Sequence, residues 1–161
     1  MTSDQYLVWF DEVVEPTENM IRMVEASFGD WKPTERSFSI GQLIAHLPLS
    51  LRFNAMVLRQ QEGLPTIREI LIRNRRHPSA TVDEAVSLFQ EATSEFKASV
   101  RAYNDQEFQT TIIATPQKGS VPVWRFCAFV LEHHIHHLME LHLSLKILGI
   151  PVDTKTLYSG G

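Results

Sequence analysis

Residues 121–148 read VPVWRFCAFVLEHHIHHLMELHLSLKIL and carry a long helical pattern. Apolar side chains recur every three or four positions along this stretch, as they do on one face of an α-helix. Pro122 suits the first turn of a helix, and Gly149 and Pro151 supply a stop. The stretch therefore predicts a long helix from about Ser120 to Leu148.

The same periodicity predicts three earlier helices, over about residues 3–28, 39–62 and 81–104. Two of them begin with a capping box, in which a Ser or Thr and a Gln or Glu three positions later bond each other's backbone N–H groups. The pairs are Ser39 with Gln42 and Thr81 with Glu84. These pairs predict where the second and third helices begin.

Prolines and polar stretches interrupt the helical pattern. Pro16 is expected to bend or split the first helix, and Pro48 to kink the second. Residues 66–78 are ambiguous, and we interpret them as a connection that holds at most a short helix. Residues 108–114 are β-prone but lack an obvious strand partner, which favours a small hairpin or an extended loop. The residues from 150 onward are expected to form a tail.

Four successive amphipathic helices without a strong strand signal predict an all-α fold. We expect a four-helix bundle with a long connection between the second and third helices, and with the extended loop or small hairpin before the fourth. The chain has 161 residues, of which 43% are hydrophobic. This length suits one core, so residues 1–161 are expected to form a single domain.

The composition narrows the choice of partners and compartment. With 15 Lys and Arg against 19 Asp and Glu, the formal net charge is -4, which argues against a general nucleic-acid or acidic-membrane binder. The single cysteine, Cys127, cannot form an intramolecular disulfide. Proteins of the reducing cytosol usually lack disulfides, so this agrees with a cytosolic location. The sequence carries neither a signal-peptide pattern nor an apolar run long enough to span a bilayer. A cytoplasmic protein with a small-molecule or protein partner is expected.

A group of arginines stands out against this acidic balance. It consists of Arg59, Arg68, Arg73, Arg75 and Arg76. A solvated loop is the favoured interpretation, and attraction of an anionic substrate or thiol is the alternative.

The most informative feature is a cluster of histidines in the last predicted helix. Five of the seven histidines fall between positions 133 and 142. Residues four apart lie on one helical face, so His133 and His137 can present their imidazole nitrogens to one metal ion. The spacing is that of zinc metalloproteases, but His134 stands where those enzymes carry their general base, so that interpretation fails.

A third metal ligand has to come from another part of the chain. His46 is the best candidate, because it lies at the edge of the apolar stripe of the second helix. His77 is the lesser candidate, because Pro78 places it in a loop. Three neutral histidines would leave a coordination position open, which is the arrangement of a catalytic metal site.

The remaining polar residues of the last helix have other interpretations. His134 is expected in the core or at an interface, His136 in solvent or at a dimer contact, and His142 on the surface. Glu140 lies on the face of His133 and His137. It could be an acceptor behind a ligand, a fourth ligand, a general base or a plain solvated side chain.

Three segments resemble one known family. FSIGQLIAHL at 38–47, EHHIHH at 132–137 and LGIP at 148–151 resemble the DinB-like (YfiT-like) superfamily of metal-binding four-helix bundles, and the order of elements agrees over nearly the whole chain. The resemblance implies a divalent metal, often zinc or nickel, bound at His46, His133 and His137. Many members continue the pair as His-Arg-Gly-Gln, whereas here His137 precedes Leu-Met-Glu140, so contacts of that Arg and Gln cannot be transferred.

Two hypotheses about function remain open. The first is a metal-dependent enzyme. The family's known activities imply a thiol S-transferase that uses a low-molecular-weight thiol like bacillithiol, or a mycothiol-dependent isomerase, and a metal ion that lowers the pKa of bound water would also suit a hydrolase, with Glu140 as the candidate catalytic residue. The alternative is a non-catalytic, metal-stabilised helical protein that dimerises or binds a partner. Phe129, Met139 and Leu143 are the candidate dimer contacts.

Overall fold

The computed structural model of the protein describes residues 1–74 and 77–158, except for the side chains at 67, 71, 73 and 74. Most of this part of the chain is helical. The long helices are α1 (Ser3–Arg22), α2 (Ile40–Leu58), α4 (Val82–Arg101) and α6 (Val123–Ile147). The shorter elements are a 3₁₀ turn (Ala26–Phe28), α3 (Ile67–Asn74), α5 (Asp105–Thr110), β1 (Ile112–Thr115), β2 (Gly119–Pro122) and α7 (Thr154–Tyr158).

The four long helices form a bundle, as the sequence predicted. α1 packs against α4 and α6, and α2 packs against the same two helices. α1 and α2 therefore occupy opposite corners of the bundle, and so do α4 and α6. The chain crosses between opposite corners twice, from α1 to α2 and from α4 to α6, and each crossing needs a long connection. As a result α2 lies beside α6.

The core between the helices is apolar and rich in aromatic rings. Tyr6 and Phe10 of α1 pack against Phe96 of α4, with the Phe10 and Phe96 ring centroids 5.0 Å apart. The Tyr6 hydroxyl donates a hydrogen bond to the Cys127 carbonyl at 2.9 Å. Burial of such rings is the main stabilising contribution in a bundle of this size.

The helix starts predicted from the capping boxes are confirmed, and some of the predicted ends are wrong. Both capping boxes form, at Ser39 with Gln42 and at Thr81 with Glu84. α1 ends at Arg22 rather than near 28, because residues 26–28 wind into the tighter 3₁₀ turn. α2 ends at Leu58 rather than near 62, because the backbone leaves the helical conformation at Gln60, whose φ is 48°.

Neither internal proline divides its helix. α1 runs unbroken through Pro16 and α2 through Pro48, and both prolines are buried. Of the two effects predicted for Pro16, a split of the first helix is therefore wrong, whereas the bend at Pro16 and the kink at Pro48 stay predictions. A proline removes one backbone hydrogen bond, and in both helices the packing of the buried face outweighs that loss.

The two predicted connections contain the expected elements, except that residues 108–110, predicted as hairpin or extended loop, belong to α5. α3 lies in the connection between α2 and α4, and the segment before α6 forms a hairpin in which Ile113 pairs with Val121. α6 begins at Val123, so Pro122 caps the helix instead of lying in its first turn. The Gln60 side chain bonds the Ala114 backbone in both directions, at 3.2 and 3.1 Å, and so holds the hairpin against the end of α2.

The expectation of a C-terminal tail is wrong for most of that segment. Val152 is buried, and α7 packs against α1. An amphipathic segment this short carries little helical signal, because its stability comes from packing on α1 rather than from its own propensity.

No helix within residues 1–74 and 77–158 is both long and apolar enough to cross a lipid bilayer.

Candidate metal centre

The α2 face toward α6 carries a buried polar stripe. His46, Ser50 and Asn54 follow one another at intervals of four residues, so they lie on one side of a mostly apolar helix. His46 and Asn54 are both buried. A buried polar group is costly unless it has a partner, so the stripe indicates a site rather than ordinary core.

α6 supplies two histidines opposite that stripe. The Nε2 atoms of His133 and His137 are 3.2 Å apart. Two ligand nitrogens that each lie 2.0–2.1 Å from a tetrahedral metal ion are about 3.3 Å apart. The predicted pair on α6 therefore already has the spacing of two ligands of one ion.

His46 completes a group of three histidines. One nitrogen from each of His46, His133 and His137 lies within 4.8 Å of the other two. The Nε2 atom of His46 is buried and finds no hydrogen-bond partner among the described residues. A lone pair left without a donor between two other imidazoles fits a metal ligand. The three sequence-predicted ligand residues are thus brought together.

His77 lies behind His46 and fixes its orientation. The Nδ1 of His77 donates to the Pro78 carbonyl at 3.0 Å, so its Nε2 carries a lone pair. The Nδ1 of His46 lies 3.1 Å from that lone pair and donates to it. His46 is thereby held in the tautomer whose Nε2 lone pair faces His133 and His137. The structure places His77 one step outside the group of three, where metal-binding histidines usually have their acceptor.

A close backbone contact brings His77 to this position. A Cβ at Gly41 would lie 3.0 Å from the Gly29 carbonyl oxygen and 3.2 Å from the Ser79 Cβ. With glycine at this position, the Gly41 carbonyl accepts from Ala80 N at 3.0 Å, and the Gln42 side chain donates to the His77 carbonyl at 3.1 Å. The start of α2 thus anchors the chain around His77.

Glu140 performs the equivalent task for His137. Its Oε2 lies 2.6 Å from the Nδ1 of His137, which donates to it. This bond holds the pKa of the Glu140 carboxyl below its usual value, so the side chain is ionised at neutral pH. The bond also leaves the His137 Nε2 as a lone pair that faces His133. Of the open interpretations of Glu140, the geometry favours an acceptor behind a ligand.

Ser50 is the partner of the third histidine. Its Oγ lies 3.2 Å from the Nδ1 of His133. A hydroxyl can either donate or accept, so Ser50 fits both neutral tautomers of His133. The Nδ2 of Asn54 donates to the same Oγ at 3.4 Å and helps to position it.

Burial keeps His46 and His133 neutral. Desolvation, with smaller contributions from neighbouring histidines, lowers the pKa of His46 to about 2 and that of His133 to about 4. Desolvation also lowers the pKa of His77. The ring of Phe38 contributes to this burial, with its centroid 5.2 Å from that of His46 and 6.2 Å from that of His137. Neutral imidazole is the form that binds metals, so these shifts suit a metal centre.

The other histidines of α6 have separate roles. His134 is buried in the core, one of the two locations expected for it. Its Nε2 lies 2.9 Å from the Thr17 hydroxyl. His136 is exposed and its Nε2 lies 3.5 Å from Glu140. His142 was expected on the surface and is instead 6% exposed. α6 packs against α1 on one side and α2 on the other, so its buried arc is wider than a single apolar stripe.

A pocket of about 700 Å³ opens beside the histidines. His46, Ser50 and His133 form its polar corner. Phe129, a predicted dimer contact, lines this pocket, and the ammonium of Lys118 lies 4.8 Å from its ring centroid. This volume is typical of sites for small molecules.

The arginine group is described only in part. Arg75, Arg76 and the side chain of Arg73 lie outside the described residues. Arg59 donates to the Ser99 hydroxyl at 3.2 Å and lies 4.0 Å from Glu95, so it is directed at α4. Arg68 is exposed.

Sequence reasoning missed Ser50 and Asn54, and it missed the role of His77 as the acceptor behind His46. The spacing of His46, Ser50 and Asn54 on an apolar helix was the available signal for the first two. The place of His77 depends on the packing at Gly41, which is a contact distant in sequence.

Comparisons with known proteins agree with this architecture. A family model described as the DinB superfamily matches residues 10–141. The crystal structure of a DinB-like protein from Bacillus cereus ATCC 10987 is similar with a TM-score of 0.75 at 15% identity, covering 94% of this chain and 97% of that one. A DinB-like protein from Bacillus subtilis is similar with a TM-score of 0.68 at 17% identity, covering 90% and 92%. At these identities the two structures support the fold alone, and a comparison with curated proteins gives no match. From the family match and the bundle described above, the chain belongs to the DinB superfamily.

Proposed function

We propose that this protein is a metal-dependent enzyme in which His46, His133 and His137 bind one divalent ion. The observation that carries the proposal is the buried His46 Nε2, which lacks a partner among the described residues and lies within 4.8 Å of the other two ligand nitrogens. Three neutral imidazoles leave coordination positions for a substrate, as catalytic sites require.

Zinc or nickel is the ion that we propose. An all-imidazole donor set suits zinc, nickel, copper and iron, and the resemblance to DinB-like proteins favours the first two. Such an ion supplies Lewis acidity, which stabilises a thiolate or hydroxide nucleophile at neutral pH. Transfer of a low-molecular-weight thiol and hydrolysis are therefore the two reaction classes that we propose.

The chain's own residues would hold and orient the reacting groups. His77 and Glu140 fix the tautomers of His46 and His137 by accepting hydrogen bonds from their Nδ1 atoms. Glu140 bonds the far side of the His137 ring, so we propose it as a positioning residue. The catalytic prediction for Glu140 was that it accepts a proton. This role stays open to test, because Glu140 has a second carboxylate oxygen and its side chain is 47% exposed. The pocket beside His46 and His133 would bind the small-molecule substrate.

Metal content and turnover test this proposal together. The untagged protein is compared with a His133→Ala, His137→Ala double variant by elemental analysis. Both are then assayed with a panel of thiols plus electrophiles and a panel of esters and amides. We expect metal-dependent turnover that is lost in the double variant. Equal metal content in the two proteins would refute the ligand set, and turnover that does not depend on metal would refute the mechanism.

A homodimer is the partner that we propose for the outer face of α6. Ile135, Met139, Leu143 and Ile147 follow one another at intervals of four residues, and all are at least 36% exposed. A continuous exposed apolar stripe is typical of an association surface. Light scattering of the wild type and of Leu143→Glu tests this, because a dimer should become a monomer in the variant. A monomeric wild type would refute it.

A further inference from the structure

The pocket beside the histidines has a mainly apolar wall. α2 contributes Leu49, Phe53 and Met56, α3 contributes Ile70 and Ile72, and α6 contributes Phe129. Several of these side chains are half-buried or exposed, although they are large and apolar. A concave apolar wall that remains accessible to solvent gains free energy when an apolar group covers it.

The charge in this wall is already balanced. Among the described residues that line the pocket, Arg52 is the one with a formal charge at neutral pH. Its guanidinium lies 3.1 Å from Glu91 and 3.4 Å from Glu95. A second anion would have to compete with these two carboxylates, so the wall away from the histidines suits an uncharged group.

The polar corner of the pocket is formed by residues of the proposed metal centre. His46, Ser50, His77 and His133 border the pocket, and the apolar side chains extend away from them along α2 and α3. The other polar lining residues are Arg52, Asn54 and Gln117. A ligand whose reacting end meets the histidines would therefore place the rest of its structure against Phe53 and Met56.

We propose that the substrates of this protein are small molecules that carry an aryl group or an alkyl chain several carbons long, which the Phe53 and Met56 wall binds. This inference rests on the proposed function, because it assigns the pocket to the substrate of the histidine centre. It makes this wall the determinant of specificity, whichever of the two reaction classes applies.

Binding of a homologous series of alcohols tests the inference without turnover. The purified protein, with its metal as isolated, is titrated by calorimetry with 1-butanol, 1-hexanol and 1-octanol. Each added methylene that enters an apolar site should raise the affinity about fourfold, the equivalent of about 0.8 kcal/mol. 1,8-Octanediol, which has the same length and a polar far end, should bind at least about tenfold more weakly than 1-octanol.

Two charge substitutions locate the binding. Met56→Glu should abolish the gain with chain length, whereas Val8→Glu, at an exposed position of α1, should preserve it. Phe53→Ala should lower the affinity for 1-octanol severalfold and provides a second reading if Met56→Glu does not fold. An affinity that does not change with chain length in the wild type, or an unchanged gain in both pocket variants, would overturn the inference.

Metal content measured on the same samples separates this inference from the proposed function. A protein that retains the chain-length dependence but binds no metal would refute the metal centre and leave the apolar pocket standing. A protein that binds metal at the three histidines but shows no chain-length dependence would refute the pocket assignment alone.

Discussion

Replacement of His77 by alanine distinguishes a metal ligand from a residue that orients one. In the structure the His77 Nε2 accepts a hydrogen bond from the His46 Nδ1 at 3.1 Å and lies behind the group of three histidines. We expect His77→Ala to weaken metal binding without changing its stoichiometry. His46→Ala, in contrast, should remove the site.

The size of the effect follows from the contact that is lost. Removal of the acceptor behind a metal-binding histidine typically lowers affinity 10–100-fold. The bond here joins two neutral rings, which is weaker than a bond to a carboxylate, so we expect a loss of about tenfold, or about 1.4 kcal/mol. The variant also leaves the buried His46 Nδ1 without its acceptor, which should lower the melting temperature of the metal-free protein.

Competition titration against a chelator of known affinity measures this loss. His77→Gln is the matched control, because its side-chain oxygen can still accept from His46 and should restore part of the affinity. Complete loss of metal from His77→Ala would identify His77 as a ligand, and an affinity equal to that of the wild type would show that the bond does not orient His46. Either result would refute the arrangement described above.

Three further predictions address other parts of the structure. Glu140→Ala should lower metal affinity by about 10–100-fold in the same competition titration, and by more than His77→Ala does, because the bond that is lost is to a carboxylate; Glu132→Ala, an exposed carboxylate on the same helix, should leave it within about twofold, and equal losses would contradict the 2.6 Å bond between Glu140 and His137. Gly41→Ala should destabilise the protein in urea denaturation, because overpacking costs about 1–3 kcal/mol and helix propensity returns at most about 1 kcal/mol. Gly29→Ala, where the nearest atom to an added Cβ is 3.6 Å away, should be nearly neutral, and a stable Gly41→Ala would contradict the close contact. Cys127 should react with a disulfide reagent at least about a hundredfold more slowly in the native than in the unfolded protein, because burial raises the pKa of its thiol; rapid native labelling would contradict this burial.

The sequence predicts most of the bundle because its strongest signals are local. The two capping boxes and the apolar periodicity of α6 depend on residues within one or two helical turns of each other. They can therefore be recognised in the sequence without knowledge of the tertiary contacts. The same reasoning placed His133 and His137 together, since a helix fixes the relation between residues four apart.

The parts that sequence reasoning missed depend on distant contacts. His142 is buried because α6 has helices on two sides, and Val152 is buried because α7 lies on α1. His77 reaches His46 only because Gly41 has no side chain, so that the backbone at Gly29 and the backbone at Ala80 can both approach it closely. None of these relations leaves a periodic signal in the sequence.

The central claim is that imidazoles from α2 and α6 bind one shared ion. X-ray absorption spectroscopy of the metal-loaded protein, read together with metal content, tests it most directly. We predict about one ion per chain with three imidazole ligands, and loss of that ion in His46→Ala. A first coordination shell with fewer than three imidazoles, or full metal content in His46→Ala, would contradict the claim.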